Sequence, residues 1–334
     1  MHIELPHLHW DLLNHQLRSI FGIEENQNIR AYGSFPHAVY EAIHATTQFF
    51  PHKKGLFYLK HQSPLLTPFM APYLKEGYQV VSPTLQELES LLSQQGFEAW
   101  FQTLPKDLLI AVFACDHPVT GEYFALTHEL EKRFNEKKVL CVVLSHYYHL
   151  ETLTGKEKEV DVLLPFTQRI CALSDDAAVT LLGSRVRGPA LFAQFCNLDA
   201  GLILNVSKMR HRNPQMELIQ KFESSLSNIA EPYFSAEVPR SQTRAVIALL
   251  DVSGDAVMGE LPQYAHGLAT PHACAFESYG LFRDWWKPEP DLNRLARTLF
   301  VDVQILQEPQ FAIDFVSAVE RIRSQQEWKI PEEK

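Results

Sequence analysis

The sequence predicts an α/β fold in which helices cover both faces of a mainly parallel β-sheet. Short apolar runs alternate with amphipathic stretches along residues 31–205, which is the pattern of strands joined by crossover helices. Two runs, Leu108–Ala114 and 139–144, are apolar at every position, as expected for strands that are buried on both faces. We therefore predict that these two strands lie at the centre of one three-layer α/β/α sandwich.

The composition is that of a globular protein and argues against several classes of function. The chain has 334 residues, of which 46% are hydrophobic and 21% are charged, so it can bury a large core and form two domains. A formal net charge of −10 argues against a nucleic-acid-binding surface. No apolar run approaches the roughly 20 residues that span a bilayer, and the first residues do not read as a secretory signal.

The cysteines form neither a disulfide framework nor a zinc motif. They are Cys115, Cys141, Cys171, Cys196 and Cys274. Because they are scattered, and four of them lie in or beside apolar runs, the sequence predicts reduced thiols and a cytoplasmic location. Histidines recur near the N-terminus, but no Cys, Asp or Glu accompanies them at a ligand spacing, so no metal site is predicted.

The N-terminal elements are a helix, a strand and a second helix. Residues 11–20 have the apolar spacing of a helix, and a polar connector leads to a short strand at 29–32. The turn Gly33-Ser34 comes next. Pro36 stands where a proline in the first helical turn is tolerated, and apolar residues at helical spacing follow it.

A regular alternation of strands and helices occupies the middle of the chain. The predicted strands are 56–59, 79–81, 108–114, 139–144, 160–164 and 170–173, and the predicted helices are 67–76, 85–95 and 124–135. After residue 205 the pattern changes. A helix at 216–229, strands at 245–250 and 297–303, and a last helix from Pro309 are predicted there.

Residues 169–188 carry a recognisable motif. They read RICALSDDAAVTLLGSRVRG, an apolar run followed by Ser-Asp-Asp, small residues and Gly-Ser-Arg-Val-Arg-Gly. This resembles the cofactor-lysine segment of the class I/II aminotransferases, in the fold-type I family of pyridoxal-phosphate enzymes. In that family a strand ends at Ser-Lys and Gly-x-Arg-x-Gly closes the motif. This chain keeps the frame and the arginine, but no lysine stands between Arg169 and Arg185.

The segment 13–43, LNHQLRSIFGIEENQNIRAYGSFPHAVYEAI, is similar to the first conserved segment of the same family. There a helix and a connector lead to a short strand, then to Gly-Ser/Ala and a long helix whose first turn holds the cofactor phosphate. The resemblance implies phosphate contacts at Gly33 and Ser34. A helix N-terminus favours an anion through its free N–H groups and its dipole. The alternative is that Ser34 is an ordinary helix cap.

The segment 142–149, VVLSHYYH, resembles the family's "V-hydrophobic-x-D-E-x-Y". Ser145 then stands at the position of the aspartate that keeps the pyridine nitrogen protonated, and Tyr148 stands at the tyrosine. A serine hydroxyl cannot balance a pyridinium charge. His146 is next in sequence, but strand alternation points it to the opposite face.

Two further segments complete the comparison with the family. CDHPVTG (115–121) resembles "N-P-x-N-P-T-G", and the asparagine position falls on Pro118, or on His117 after a one-residue shift. HQSPLLTPF (61–69) resembles "P-x-Y-x-x-Y", with Leu66 at the stacking tyrosine and Phe69 at the second aromatic.

The lysine position falls on Ala177, or on Asp175 after one gap. Neither side chain can form an imine. Lys208 follows Ser207 after an apolar run, but it lies beyond the glycine–arginine motif instead of before it. It is the alternative candidate for a catalytic lysine, unless it is a solvated lysine at a helix start.

The contacts that the resemblance retains are on the phosphate side. They are Gly33, Ser34, Tyr148 and Arg185, with Arg297 near the family's arginine for the substrate carboxylate. Alternatives remain for two of them. Arg185 could pair with Asp175 or Asp176, and Tyr148 could be a half-buried core residue.

The resemblance also implies a domain organisation. Residues 1–30 form an N-terminal arm and part of a small domain, 31–205 form the large cofactor-type domain, and 206–334 form the C-terminal small domain. Because the family's cofactor cleft lies between two subunits, a homodimer is expected.

Three functions are compatible with these residues. The first is a degenerate family member without a covalently bound cofactor, which binds a partner, a small anion or an amino-acid-like ligand. The second is an active pyridoxal-phosphate-dependent aminotransferase that uses Lys208 or a shifted register. The third is a cofactor-independent enzyme that uses the cleft with His146, His117 and Asp175. None of these predicts a nucleic-acid or membrane partner.

Overall fold

The computed structural model divides the chain into a first unit, Met1–His211, and a second unit, Arg212–Lys334. It describes residues 15, 18, 28–60, 62, 66–93, 96–116, 123–145, 163–174, 177–186, 216–226, 228–233, 244–270 and 292–327. Among these residues, no helix is long and apolar enough to cross a membrane. The predicted helix at 11–20 lies almost entirely outside the described residues, and the predicted place of residues 1–30 in a small domain stays a prediction.

The described part of the first unit contains a seven-stranded mixed sheet. Its strands are β1 (Asn28–Tyr32), β2 (Gly55–Tyr58), β3 (Gln79–Val81), β4 (Leu108–Ala114), β5 (Leu140–Ser145), β6 (Thr167–Ser174) and β7 (Ala177–Leu182). They are ordered β1-β7-β6-β5-β4-β2-β3. Strands β2 to β6 pair in parallel, whereas β7 is antiparallel to both β6 and β1. The central positions predicted for β4 and β5 are confirmed.

Helices cover both faces of this sheet. They are α1 (Phe35–Phe49), α2 (Leu66–Lys75), α3 (Leu85–Ser93), α4 (Phe97–Gln102) and α5 (Ala125–Glu136). Side chains of β4 alternate between the two layers. Val112 and Ala114 pack with α1 and α2, whereas Ala111 and Phe113 pack with α3, α4 and α5. The predicted three-layer α/β/α architecture is confirmed.

The region after β5 differs from the sequence-based prediction. Leu163 and Leu164, the described end of the predicted strand 160–164, are not in a strand. The small residues after β6, where the sequence analysis predicted no strand, form β7 and pair with strands on both sides. Val179 and Thr180 are β-branched and favour an extended backbone, and both are buried there. The chain therefore reverses immediately after β6.

The second unit, where it is described, is an antiparallel sheet with helices. Its elements are α6 (Met216–Ser225), β8 (Ala230–Pro232), β9 (Arg244–Leu249), α7 (Gly254–Glu260), β10 (Leu268–Ala269), α8 (Leu292–Ala296), β11 (Thr298–Asp302), α9 (Val303–Leu306) and α10 (Phe311–Glu327). The strand order is β10-β11-β9-β8. One face of the sheet packs against α6 and α10 through Phe222, Phe311 and Phe315. The helices and strands predicted beyond residue 205 are present, with ends shifted by a few residues.

Gly183, taken from the sequence as part of the arginine motif, has a packing role directly after β7. Its N–H donates to the Thr167 carbonyl at 2.8 Å. A Cβ at this position would overlap the Leu164 carbonyl oxygen and lie 2.7 Å from that of Pro165. Because these neighbours are backbone atoms, they cannot rotate away. The close approach of the two chain segments requires glycine.

We predict that Gly183→Ala lowers the free energy of unfolding by about 1–3 kcal/mol, the usual cost of forcing extra atoms into a packed site. The matched control is Gly96→Ala, where the new Cβ would meet Leu91 Cδ2 at an ordinary 3.6 Å. Urea unfolding followed by circular dichroism measures both variants. Equal losses at the two positions would contradict the close approach at Gly183.

Candidate functional site

One edge of the seven-stranded sheet gathers the ends of most strands. β2, β4, β5 and β6 are parallel, and β1 runs in the same direction because β1 and β6 are both antiparallel to β7. These five strands end at one edge, which we call the carboxyl edge. Ligands of open α/β sheets bind outside the carboxyl ends of the strands, so functional side chains are expected there.

Gly33 and Ser34 follow β1 at the carboxyl edge and introduce α1. Ser34 is the N-cap of this helix, since its Oγ accepts a hydrogen bond from the His37 N–H at 3.3 Å. Its carbonyl accepts a hydrogen bond from the Ala38 N–H at 3.2 Å. The ordinary capping role is therefore present in the structure, and a phosphate contact at this turn stays a prediction.

Arg185 lies at the opposite edge of the sheet from Ser34. The strand register pairs Tyr32 with Ala178 and Asn28 with Leu182, so the chain beyond β7 emerges beside the start of β1. The Arg185 N–H accordingly donates to the Pro165 carbonyl at 2.9 Å, just before β6. At about 3.3 Å per residue, the length of β1 separates the two predicted phosphate contacts by more than 10 Å. The structure does not bring them into one anion site.

Other predicted site residues fall outside the described part of the chain. They are Tyr148, Lys208, His117, Pro118, His146, Asp175 and Asp176. Arg297 is described and follows α8 in the second unit. Its guanidinium donates to the backbone carbonyls of Asn293 and Leu250, so in this structure the side chain holds backbone groups together.

The residues at the family's stacking positions belong to the core. Leu66 is the first residue of α2 and is fully buried against α1 and β4. The ring of Phe69 packs edge-on against Tyr40 of α1, with the ring centroids 5.9 Å apart. Leu66 offers no aromatic face for a cofactor ring.

Ser145 ends β5 at the carboxyl edge and contacts a carboxylate from the neighbouring strand. Its Oγ donates a hydrogen bond of 3.1 Å to Asp116 Oδ2, and both side chains are buried. Asp116 lies two residues beyond Ala114, the last residue of β4. Sequence reasoning placed a serine where a carboxylate was expected and did not assign Asp116, although this residue lies in the CDHPVTG segment. Only strand pairing brings the two together.

Gln62 lies at the same end of β4 and has an unsatisfied donor. Its Oε1 accepts a hydrogen bond of 3.0 Å from the Ala114 N–H. The side chain is 1% exposed, and its Nε2 has no hydrogen-bond partner among the residues that the structure describes. A buried donor without an acceptor costs about 1–3 kcal/mol. Sequence analysis passed over Gln62 because its segment was compared with the family only through Leu66 and Phe69.

A buried ion pair lies on the α5 face of β6. Glu131 of α5 accepts hydrogen bonds from Thr167 Oγ1 at 2.7 Å and from an Arg169 Nη at 3.3 Å. Asn135 donates to Thr167 Oγ1 at 3.0 Å and accepts from the Phe166 N–H at 2.8 Å. Burial disfavours the charged form of Arg169, but the Glu131 carboxylate outweighs this effect and the pKa of Arg169 lies above its ordinary value. The pair ties α5 to the sheet.

Two thiols, one half-buried (Cys115) and one buried (Cys171), flank Ser145 in the row of strand ends. The register places Cys115 and Cys171 on either side of it, which separates them by roughly 10 Å, two strand spacings. Burial raises the pKa of Cys171 to about 12, against the lowering effect of Arg169. Burial, with nearby Asp116, raises the pKa of Cys115 well above its usual range. Both thiols stay protonated at neutral pH, so neither is an activated nucleophile.

The described residues contain no candidate metal site. Among them, no group of three His, Cys, Asp or Glu side chains is placed to hold a metal ion. The chemistry available at the carboxyl edge is therefore hydrogen bonding and charge, through Ser34, Gln62, Asp116 and Ser145.

Comparison with solved structures identifies the fold. No family model and no curated protein matches the sequence. A NifS-like protein is 13% identical over 96% of this chain and 88% of its own, with a TM-score of 0.63. The cysteine desulfurase CsdA from Escherichia coli is 10% identical over 95% and 84% of the two chains, with a TM-score of 0.59. The phosphoserine aminotransferase SerC from Cytophaga hutchinsonii is 12% identical over 96% and 88%, with a TM-score of 0.53.

Identities this low establish the fold alone. The chain has the fold of the fold-type I pyridoxal-phosphate-dependent superfamily, and the resemblance drawn from the sequence is confirmed at that level. The mixed sheet, with β7 inserted antiparallel between β1 and β6, is the feature that organises the candidate site.

We predict that Glu131→Gln lowers the free energy of unfolding by about 2–3 kcal/mol, because it removes the buried carboxylate that compensates the partly buried Arg169. The matched control is Glu129→Gln on the same helix, where the ion pair with Arg133 is solvent-exposed and contributes little. Urea unfolding compares the two variants at neutral pH. If Glu129→Gln lost as much stability as Glu131→Gln, the pair of Glu131 with Arg169 would contribute no more than an exposed ion pair.

A second prediction concerns His128, which is mostly buried in the first turn of α5. Burial lowers its pKa, while Glu131, 4.0 Å from Nδ1, opposes the shift. The unfolded chain, with an ordinary pKa of about 6.5, therefore binds the proton at a higher pH than the folded chain. The free energy of unfolding should fall as the pH drops through about 6.5. Urea unfolding between pH 8 and 5 should show a smaller loss of unfolding free energy for His128→Gln than for the wild type. The same pH dependence in both proteins would refute a lowered pKa of His128 as the cause.

Proposed function

We propose that this chain is a non-catalytic member of the aminotransferase-type fold, which binds a small ligand at the carboxyl edge without forming a Schiff base. The observation that carries the proposal is the short β6–β7 connection. Strand β6 ends at Ser174 and β7 begins at Ala177, and residues 159–207 contain no lysine. No register shift within this region supplies an amine at the end of β6.

The lysine is decisive because it has two roles in pyridoxal-phosphate enzymes. It holds the cofactor covalently and moves the substrate proton. A general acid–base group alone commonly contributes about 10²–10⁴-fold to a rate. When bound, the cofactor would supply an electron sink, but without the lysine this chain would lack both the covalent hold and the group that moves the substrate proton.

The other contacts expected for the cofactor fit poorly as well. Leu66 is committed to the core and offers no stacking face. Ser145 is occupied by its hydrogen bond to Asp116. Arg185 emerges at the opposite edge from Ser34. The donor set at the carboxyl edge does not match a covalently held pyridoxal phosphate, and we derive no catalytic step through it.

The two alternative functions depend on residues outside the described part of the chain. An active aminotransferase would rely on Lys208, and a cofactor-independent enzyme would rely on His146, His117 and Asp175. A homodimer and a cytoplasmic location remain predictions from the sequence.

The direct test is borohydride reduction after incubation with pyridoxal phosphate, followed by peptide mapping. We expect no cofactor absorbance band after desalting and only sparse labelling spread over surface lysines. The matched control is Lys208→Arg, which should give the same spectrum and the same sparse pattern as the wild type. Stoichiometric labelling at Lys208, abolished in this variant, would overturn the proposal in favour of an active enzyme.

A further inference from the structure

We propose that the first unit binds an acidic, partly apolar segment of another protein along the edge where its parallel strands begin, which we call the amino edge. Strands β2 to β6 are parallel, so all five begin there, opposite the carboxyl edge. Two observations carry the proposal, a row of cations without ion-pair partners and exposed apolar side chains beside it. It is independent of the proposed function, because the candidate ligand site lies at the other ends of the same strands.

Basic side chains recur in the chain segments at the amino edge. Segments 75–78, 50–54, 103–107 and 136–139 lead into β3, β2, β4 and β5, and segment 183–186 follows β7 beside the start of β6. Their cationic residues are Lys53, Lys54, Lys75, Lys106, Lys137, Lys138 and Arg185. Their carboxylates are Glu76, Asp107 and Glu136. On a chain with a formal net charge of −10, these segments have an excess of positive charge.

Contacts at the strand starts join these segments into one row. The Lys54 carbonyl accepts from the Gln79 N–H at 2.7 Å, beside β3, and the Lys54 N–H donates to Asp107 Oδ2 at 3.2 Å, beside β4. Lys137 Nζ donates to the Phe101 carbonyl of α4 at 3.0 Å. Because neighbouring strands lie about 4.8 Å apart, the row from β3 to β6 spans roughly 19 Å.

The seven cationic side chains of this row form no ion pair with a residue that the structure describes. Arg133 in the last turn of α5 behaves differently, since it pairs with three glutamates, Glu98, Glu129 and Glu136. Like charges in a row repel one another. An anionic partner relieves that repulsion and is attracted by the summed field of the row.

Two ammonium groups of the row are held by aromatic rings. Lys54 Nζ lies 4.1 Å from the ring centroid of Tyr78, and Lys137 Nζ lies 4.1 Å from the ring centroid of Phe101. A ring face attracts the cation without neutralising its charge. These two charges are therefore partly positioned before a partner arrives, which lowers the entropy lost on binding.

Lys138 occupies a backbone position that favours glycine. It lies two residues beyond α5 and has a φ of 57°, in the left-handed region. The Val139 N–H donates to the Phe134 carbonyl at 3.0 Å, which closes the end of the helix. Glycine adopts this conformation at a lower cost. The chain thus has an exposed cation where the backbone alone favours a residue without a side chain.

Helix dipoles explain only part of this row. The ends of α2 and α5 favour nearby cations, but the effect falls off within the last turn. Lys53 and Lys106 lie four residues beyond the last residues of α1 and α4. Their positions at the amino edge are therefore not a consequence of the dipoles.

Exposed apolar side chains lie beside the lysines and indicate the class of partner. Phe49, the last residue of α1, is 54% exposed, and Leu74, directly before Lys75 in α2, is 58% exposed. Both helices end at the amino edge, because each leads into a strand that begins there. The net negative charge of the chain opposes binding to nucleic acid or to an anionic membrane. A short acidic segment with apolar side chains would use both the cations and the apolar groups.

Fluorescence anisotropy on the full-length chain tests the proposal. The probe is a labelled peptide of alternating Glu and Leu or Phe, about eight residues long so that it covers the row when extended. It should bind at least about tenfold more tightly than the same peptide with Gln in place of Glu. Its affinity should fall when the salt concentration rises from about 0.05 to 0.5 M, because salt screens exposed charges. Replacing its Leu and Phe by Ser should weaken binding about threefold or more.

Two variants locate the binding surface. Lys106→Glu reverses one charge of the row and should weaken peptide binding about fivefold or more. Lys138→Gly removes another charge and relieves the backbone, so it keeps the test valid if the first variant does not fold. It should weaken binding about two- to fivefold. The matched control is Lys221→Glu, which makes the same charge change at an exposed residue of α6 and should leave binding unchanged.

Several results would overturn the proposal. One is a Gln peptide that binds as tightly as the acidic peptide. Another is that Lys106→Glu and Lys138→Gly bind the acidic peptide as tightly as Lys221→Glu does. Tighter binding of duplex DNA, or of vesicles containing phosphatidylserine, would assign the amino edge to a different class of partner.

Discussion

Complete burial of β4 is the constraint on which the architecture of the first unit depends. All seven residues of this strand are buried, with β2 and β5 on its sides and helices on both faces. Its backbone groups are satisfied by the neighbouring strands, and no polar side chain is admitted along its length. Polar side chains can begin only where the strand ends, which is why Asp116 and Gln62 both lie at the carboxyl end of β4.

The contacts between the helices and the sheet of the first unit are polar as well as apolar. Glu131 reaches from α5 to two residues of β6, and Asn135 adds contacts with Thr167 and Phe166. A charge pair in this position contributes a fixed geometry more than a large net stability, because burying the two ions offsets much of their attraction. It holds the first residues of β6, the strand that pairs with Ser145 further along, in place against α5.

The short turn from β6 into β7 determines which chain segments reach the carboxyl edge. Strand β7 returns at once between β6 and β1, and the arginine motif that follows it emerges at the far edge. The anion contacts expected to converge are therefore separated by the length of a strand. The polar groups described at the carboxyl edge are the hydrogen-bonded pair Asp116 and Ser145, and Gln62 at the end of β4.

The sequence alone was sufficient for the layer architecture and for the central strands, because unbroken apolar runs and helical spacing are local properties. It offered the helix cap at Ser34 as one of two alternatives, and it showed that residues 159–207 contain no lysine. The direction of β7 could not be predicted from the sequence. A short run of small and β-branched residues is equally compatible with a loop, a parallel strand and an antiparallel strand.

The hydrogen-bonded pairs at the carboxyl edge could not be predicted from the sequence, for a related reason. Asp116 and Ser145 are 29 positions apart, and Gln62 and Ala114 are 52 apart. Such pairs meet only when strands distant in sequence are hydrogen-bonded in a definite order and register. That order and register are decided by the packing of the whole sheet, so only the tertiary structure determined which polar groups share the carboxyl edge.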